Sequence, residues 1–367
     1  MKLHIFNPSH DIALATNVRQ FTPPHAGRQM FADLAFLPSL WANDGDMVLV
    51  NDVKAAIEAV RHLKCKKSDV LFIEPDDLKS TQIPSTMCVE PWGWNISIRH
   101  KLLSLNKSFA TIMPTEHSLM TIRDMSNRKW AAENLLPALI KIDKNALVGK
   151  SRYVSSVEEM HSVIADNGDY VAKAPWSSSG RGIRYLLNGH SATTSEHFEG
   201  WATNVINRQG GLMIEPYYNK VEDLAMEFIA KDGQISYIGL SLFKTINGAY
   251  AGNILATEQE KRKMLTQMIP ENILDKVSQG IIATLQPLMK GKYEGAFGVD
   301  MMIVAVGNEL KLHPCVELNL RRTMGHIALA ISPQTSEPQR LMRIDYDSKY
   351  HLRIINTFEN VPPTALV

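Results

Sequence analysis

The chain has 367 residues, 45% of them hydrophobic and 21% charged, and a formal net charge of +1. That length predicts two or three domains or lobes, not one small core. Near-neutral charge without blocks of one sign argues against nucleic acid or a membrane surface as partner, and no apolar run reaches the roughly 18 residues of a membrane span. The three cysteines, Cys65, Cys88 and Cys315, lie far apart and form no CxxC pair. This is the pattern of reduced thiols, not of disulfides or a zinc site. MKLHIFNPSHD turns polar too early for a secretory signal, so a cytoplasmic protein is expected.

In chain order, LHIF (3–6) predicts a first strand, followed by NPSHD and the apolar helical run DIALATNV. MVLVND (47–52) and VLFIEP (70–75) predict short apolar strands beside helical sequence such as VKAAIEAVRHL. Strands alternating with helices predict a small parallel α/β domain over residues 1–112. His10 and Asp11 stand just after the first strand, where an open α/β sheet receives ligand, so both are candidate substrate residues. The competing expectation is that Ser9 or Asp11 caps the helix. EPWGWN (90–95) sets two tryptophans around Gly93 and predicts buried aromatics. His25, His62, His117 and His313 show no HxxxH or HExxH spacing and read as structural.

NRKWAAENLLPAL (127–139) predicts a helix, and SEHFEGWATNVINRQGG (195–211) another, stopped by two glycines. Between them, YVAKAPWSSSGRGIR (170–184) is a strand that delivers Lys173, then a Ser/Gly loop, then a further strand. A Walker loop fails at VGKS, because Lys144 holds the place of the first glycine. A dinucleotide fingerprint fails because Tyr185 holds the place of the third glycine and no helix follows. Two readings stay open. One is a flap whose small residues, Ser177 to Gly182, fold backbone N–H groups over phosphates while Lys173 adds a point charge. The other is an ordinary surface hairpin loop.

The remainder predicts an α+β region: a strand in GLMIEPYY, a hairpin turning at Asp232-Gly233, a long helix over 271–292, and a second hairpin turning at Gly307-Asn308. VELNLRR (316–322) puts Glu317, Asn319 and Arg321 on one strand face. With a two-residue turn, Val306 pairs with Glu309 and Asp300 pairs with Cys315, one diagonal step from Glu317. Asp300, Glu317 and Asn319 then share a face, opposite Met301, Ile303, Leu310, Leu312, Val316 and Leu318. Two carboxylates and an amide oxygen suit Mg²⁺ held together with substrate phosphates; the competing expectation is a solvated strand face. Pro314 marks a place where the register can slip.

In order and spacing these segments resemble the ATP-grasp superfamily over roughly residues 115–325, and the first 110 are similar to the α/β domain that precedes it in that family. The resemblance implies an ATP-grasp domain over 113–345, with lobes of about 113–214 and 215–345, and a C-terminal tail from 346 to 367. It implies that Lys129 and Lys173 reach the ATP phosphates beneath a loop of Ser177, Ser178, Ser179, Gly180 and Gly182. Glu215 would receive the adenine amino group, with backbone contacts from Pro216 and Tyr217. Glu222 or Asp223 would bind the ribose, and Lys244 would be a candidate third phosphate ligand. Asp300, Glu317 and Asn319 would carry Mg²⁺, or Mn²⁺, and Arg321 or Arg322 would hold an acyl-phosphate oxyanion or substrate carboxylate. One departure is KAPW, where an alanine separates the lysine from the proline.

The activity so implied is ATP-dependent carboxylate–amine ligation through an acyl phosphate, with small-molecule acid and amine partners and a homodimer as a further expectation. Phosphoryl transfer needs positioning and charge neutralisation, which these residues supply without a nucleophilic serine or cysteine. A kinase that stops at phosphate transfer, and a nucleotide-binding module without turnover, are the alternatives.

Overall fold

A computed structural model describes residues 1–63, 68–165, 168–177, 182–187, 196–246 and 249–356. Strands β1 (Lys2–Ile5), β2 (Met47–Leu49), β3 (Leu71–Ile73) and β4 (Cys88–Pro91) form a parallel sheet in the order β3-β2-β1-β4. The two central strands, β1 and β2, are buried on both sides, and Leu3, Ile5, Leu49 and Val89 share one core. Asp52 starts the crossover helix Val53–His62 by accepting from Ala55 N at 3.0 Å. The strand order reverses between β1 and β4. The loops that leave these two strands, Phe6–Ser9 and Trp92–Asn95, therefore lie side by side at their C-terminal ends.

A helical stretch follows. The predicted helix over 127–139 is two helices, Arg128–Asn134 and Leu136–Ile140, with Pro137 in the first turn of the second. Proline fits there because the missing N–H has no intrahelical partner in any case. Strands β5 (Arg152–Val154), β6 (Tyr170–Lys173), β7 (Ile183–Leu186) and β8 (Leu212–Pro216) make an antiparallel sheet in the order β5-β8-β6-β7. Val171 lies opposite Glu215 and Lys173 opposite Met213, so Lys173 and Glu215 share a face.

The largest sheet runs β13-β12-β9-β10-β11-β14-β15, built from β9 (Asn219–Lys231), β10 (Gln234–Ile246), β11 (Ala249–Leu255), β12 (Gly295–Val306), β13 (Glu309–Asn319), β14 (Arg340–Tyr346) and β15 (Tyr350–Asn356). Asp232 and Gly233 turn the first hairpin with φ of 52° and 74°, the left-handed pair that a two-residue turn requires. One face packs Leu224, Met226, Phe228, Val299, Met301, Ile303, Leu312 and Leu318 against the helix Glu271–Met289. The other carries Asp300, Glu317 and Asn319, with the helix Met324–Ile331 behind them.

Two expectations are corrected. Asp300 pairs with Glu317, not with Cys315. The register Val306↔Glu309 holds as far as Met302↔His313, then shifts by two residues where Pro314 can give no ladder hydrogen bond. A shift of two keeps the parity of side chains, so the acids remain on one face. The C-terminal stretch is also not a plain tail from residue 346. β15 pairs with β14 from Arg340↔Asn356 to Tyr346↔Tyr350, and its Leu352 joins a core with Phe6, Leu34 and Trp92 of the first unit. Alternation of apolar residues in YHLRII, with Leu352 turned inward, is what makes this segment a strand. No helix among the described residues is long and apolar enough to cross a membrane.

Candidate functional site

Asp300 and Glu317 face each other across β12 and β13, and the next pair along is Gly298 with Asn319. Asn319 Nδ2 donates to Asp300 Oδ2 at 3.0 Å. Burial, then the Glu317 and Glu227 carboxylates, push the Asp300 carboxyl up to about 8. Acids packed this closely call for a compensating cation. The donors are all oxygen, which fits Mg²⁺ or Mn²⁺. Among the described residues, no group of three or more His, Cys, Asp and Glu could hold a metal by itself. Two carboxylates and an amide leave coordination positions for substrate oxygens.

Behind this set sits Glu227, with only 1% of its surface exposed. Thr323 Oγ1 donates to its Oε1 at 2.8 Å, and His326 Nδ1 lies 3.0 Å from its Oε2. A Cβ on Gly298 would lie 2.5 Å from that Oε2, and one on Gly325 would overlap the other oxygen. Both glycines are therefore required for the carboxylate to fit.

Lys173 Nζ lies 2.5 Å from Glu215 Oε2, and Ser151 Oγ donates to Oε1 at 3.0 Å. Burial alone would raise the Glu215 carboxyl; Lys173, His313 and the Ser151 hydroxyl together outweigh it and hold the group below the usual carboxylate range. Pro216 ends β8, and the Tyr217 ring packs edge-on against Tyr185 at 6.1 Å. Glu222 is paired with Lys244 at 2.6 Å and Asp223 with Lys220 at 2.5 Å, so two acid–lysine pairs stand at one end of the sheet. At the loop stem, Ala174 N donates to Gly182 O at 2.8 Å, and a Cβ on Gly182 would lie 2.5 Å from Ser177 Oγ. Ser178, Ser179 and Gly180 lie outside the described residues.

Lys129 is 41% exposed and sits 4.2 Å over the Tyr153 ring. Its neighbour Arg128, which sequence reasoning missed, points inward. Arg128 Nη2 lies 2.8 Å from Glu317 Oε1, while Nη1 donates to Ala174 O at 2.7 Å and to Ser177 Oγ at 2.8 Å. One guanidinium thus joins the acidic strand to the loop stem. The signal that separates the two basic residues is Asn127. It caps the helix by accepting from Lys129 N at 2.8 Å, which puts Arg128 at the first helical position. Successive residues on a helix point about 100° apart.

Asp11 does not cap its helix, and neither does Ser9. Asp11 instead takes Arg321 Nε at 2.9 and 3.2 Å. His10 is buried and meets Asn95 through Nδ1 at 3.0 Å; burial lowers it to about 4, so it is neutral near pH 7. Arg322 turns away to Glu90 at 3.4 Å and stacks 4.7 Å over Trp41. One cleft is lined by His10, Asp11, Trp176, Ser177, Glu317 and Asn319, so three separate parts of the chain meet there.

The same architecture occurs in solved structures. The biotin carboxylase domain of the Hydrogenobacter thermophilus 2-oxoglutarate carboxylase matches with a TM-score of 0.50 at 12% identity, over 94% of this chain and 74% of that one. This chain has the ATP-grasp fold. Other ATP-grasp structures that match are biotin carboxylase from Campylobacter jejuni (TM-score 0.49, 12% identity, 94% of this chain and 75% of that one) and N5-carboxyaminoimidazole synthetase from Staphylococcus aureus (0.47, 15%, 94% and 82%). No family model matches the sequence, and no curated protein matches it.

Proposed function

We propose that this ATP-grasp chain is an ATP-dependent ligase that joins a small carboxylic acid to an amine. A carboxylate oxygen of the acid attacks the terminal phosphorus of ATP, the bond to the bridging oxygen breaks, and ADP leaves. The amine then attacks the acyl carbon of the acyl phosphate; phosphate departs and the nitrogen loses a proton. The observation that carries this reading is that Asp300, Glu317 and Asn319 gather on one strand face and Arg128 joins Glu317 to the loop stem at Ser177. Asp300, Glu317 and Asn319 would hold Mg²⁺ or Mn²⁺, which neutralises phosphate oxygens as charge moves.

The chain's own cations supply the rest. Lys173, at the end of β6, and Arg128 face the phosphates from two sides, with Lys129 and Lys244 as outer charges. The loop stem at Ser177 and Gly182 offers further backbone N–H groups. Pro216 and Tyr217 offer backbone contacts to the base, and Glu222 or Asp223 to the ribose. Arg321 holds the acid and the oxyanion that forms on it.

A thermal-shift panel of nucleotides tests the first half. ATP with Mg²⁺ stabilises the protein, by about 2.7 kcal/mol at 100 times the dissociation constant; stabilisation by NAD but not by ATP overturns the reading. A panel of acid and amine pairs scored by ADP release tests the second. Glu317→Gln abolishes that release with the fold intact, whereas ADP release that never needs an amine identifies phosphate transfer alone.

A further inference from the structure

The loop after β1 reaches the far end of β13. Asp11 and Arg321 are 310 residues apart in sequence, yet both Asp11 oxygens face Arg321 Nε, and each side chain is 17% exposed. Arg321 Nη1 donates to Arg322 O at 3.1 Å. Among the described residues, no hydrogen bond engages Nη2. The held edge of the guanidinium faces the first unit, and Arg321 stands two residues beyond Asn319, just past the end of the strand that carries Glu317.

Asp11 is itself fixed. Asn7 exchanges hydrogen bonds with Gly93, donating to its O at 2.9 Å and accepting from its N at 3.3 Å. A Cβ on Gly93 would lie 2.6 Å from the His10 ring, so only glycine lets the two loops close on each other. Arg322 N donates to Trp92 O at 2.8 Å, tying the same platform to the residue after Arg321. FNPSHD and PWGWN thus form one rigid support under one arginine.

We propose that Asp11 is a positioning residue: by gripping Arg321 through Nε it aims the rest of the guanidinium at the carboxylate of the acid substrate. The inference rests on the ligase reading and adds that the first unit, not the ATP-grasp lobes alone, sets the geometry of the acid. An arginine already held loses less freedom when it binds, and its fork then reads a planar carboxylate in one orientation.

Trifluoroacetate is the probe, followed by ¹⁹F line broadening in the presence of MgADP, with MgATP affinity measured on every variant. Wild type broadens the signal and Arg321→Ala does not. Asp11→Ala binds the probe roughly tenfold more weakly, the loss expected for a displaced charge-assisted hydrogen bond. Asp11→Glu recovers part of that affinity, and MgATP affinity is unchanged in the Asp11 variants. Asp11→Asn, which keeps the shape, serves if the alanine variant does not fold. Probe affinity equal to wild type in folded Asp11→Ala or Asp11→Asn overturns the proposal and leaves Asp11 as a structural tie. A wild type that binds MgATP but not trifluoroacetate also overturns it. A wild type that binds no MgATP overturns the ligase reading instead.

Discussion

Replacing Lys173 by methionine leaves the Glu215 carboxylate buried with the Ser151 hydroxyl as its remaining hydrogen-bond partner among the described residues. Each side chain of the Lys173–Glu215 pair is 7% exposed, so solvent screens neither. Removing one member of a buried pair costs about 3–5 kcal/mol, because the other charge stays desolvated. The pH dependence gives the sign. In the native protein Glu215 is held below its usual range. Its stabilisation is therefore complete above the unfolded carboxylate value and is lost as pH falls through the folded one. In Lys173→Met burial dominates and raises the carboxyl. The loss is then greatest near neutrality and shrinks as pH falls towards the ordinary carboxylate range, by at most about 1.4 kcal/mol per pH unit. Urea unfolding followed by circular dichroism, at about pH 7.5 and about pH 5.5, measures both effects. Lys173→Met/Glu215→Leu returns to within about 1 kcal/mol of wild type, since an apolar pair replaces the charges. A Lys173→Met protein within about 1 kcal/mol of wild type at both pH values would refute the reasoning. Tests of ATP binding by this variant belong well below its unfolding transition.

Gly325→Ala forces a Cβ into the Glu227 carboxylate and destabilises the protein by about 1–3 kcal/mol in thermal or urea unfolding, more than alanine at exposed Gly200, where a Cβ meets nothing within 4 Å. Arg128→Ala weakens MgATP binding roughly tenfold in calorimetry, and Lys129→Ala much less; the reverse order would restore Lys129 as the inner phosphate contact. Because the Asp300 carboxyl is pushed up to about 8, a proton must leave before the group takes a cation. Mn²⁺ affinity, read by electron paramagnetic resonance, therefore rises from about pH 6 to about pH 8, approaching tenfold per unit, and a flat profile would remove Asp300 from the site.

Sequence alone determined what depends on near neighbours. Period-two alternation placed Glu317 and Asn319 on one face, and Asp232-Gly233 and Gly307-Asn308 set two hairpin turns. Lys173 at the end of its strand followed from YVAK and the small residues beyond it. Only the tertiary structure decided that Asp300 sits opposite Glu317, because the two-residue shift near Pro314 depends on how β13 accommodates a missing N–H. It alone chose Arg128 over Lys129 for the inner position, since a helix cap sets direction through backbone geometry. It alone made FNPSHD, where a helix starts at His10, a support for Arg321 as well, and paired Lys173 with Glu215. These are contacts between charges far apart in sequence. Their strength depends on distance and on exclusion from water, and both arise only when the layers of the fold close on one another.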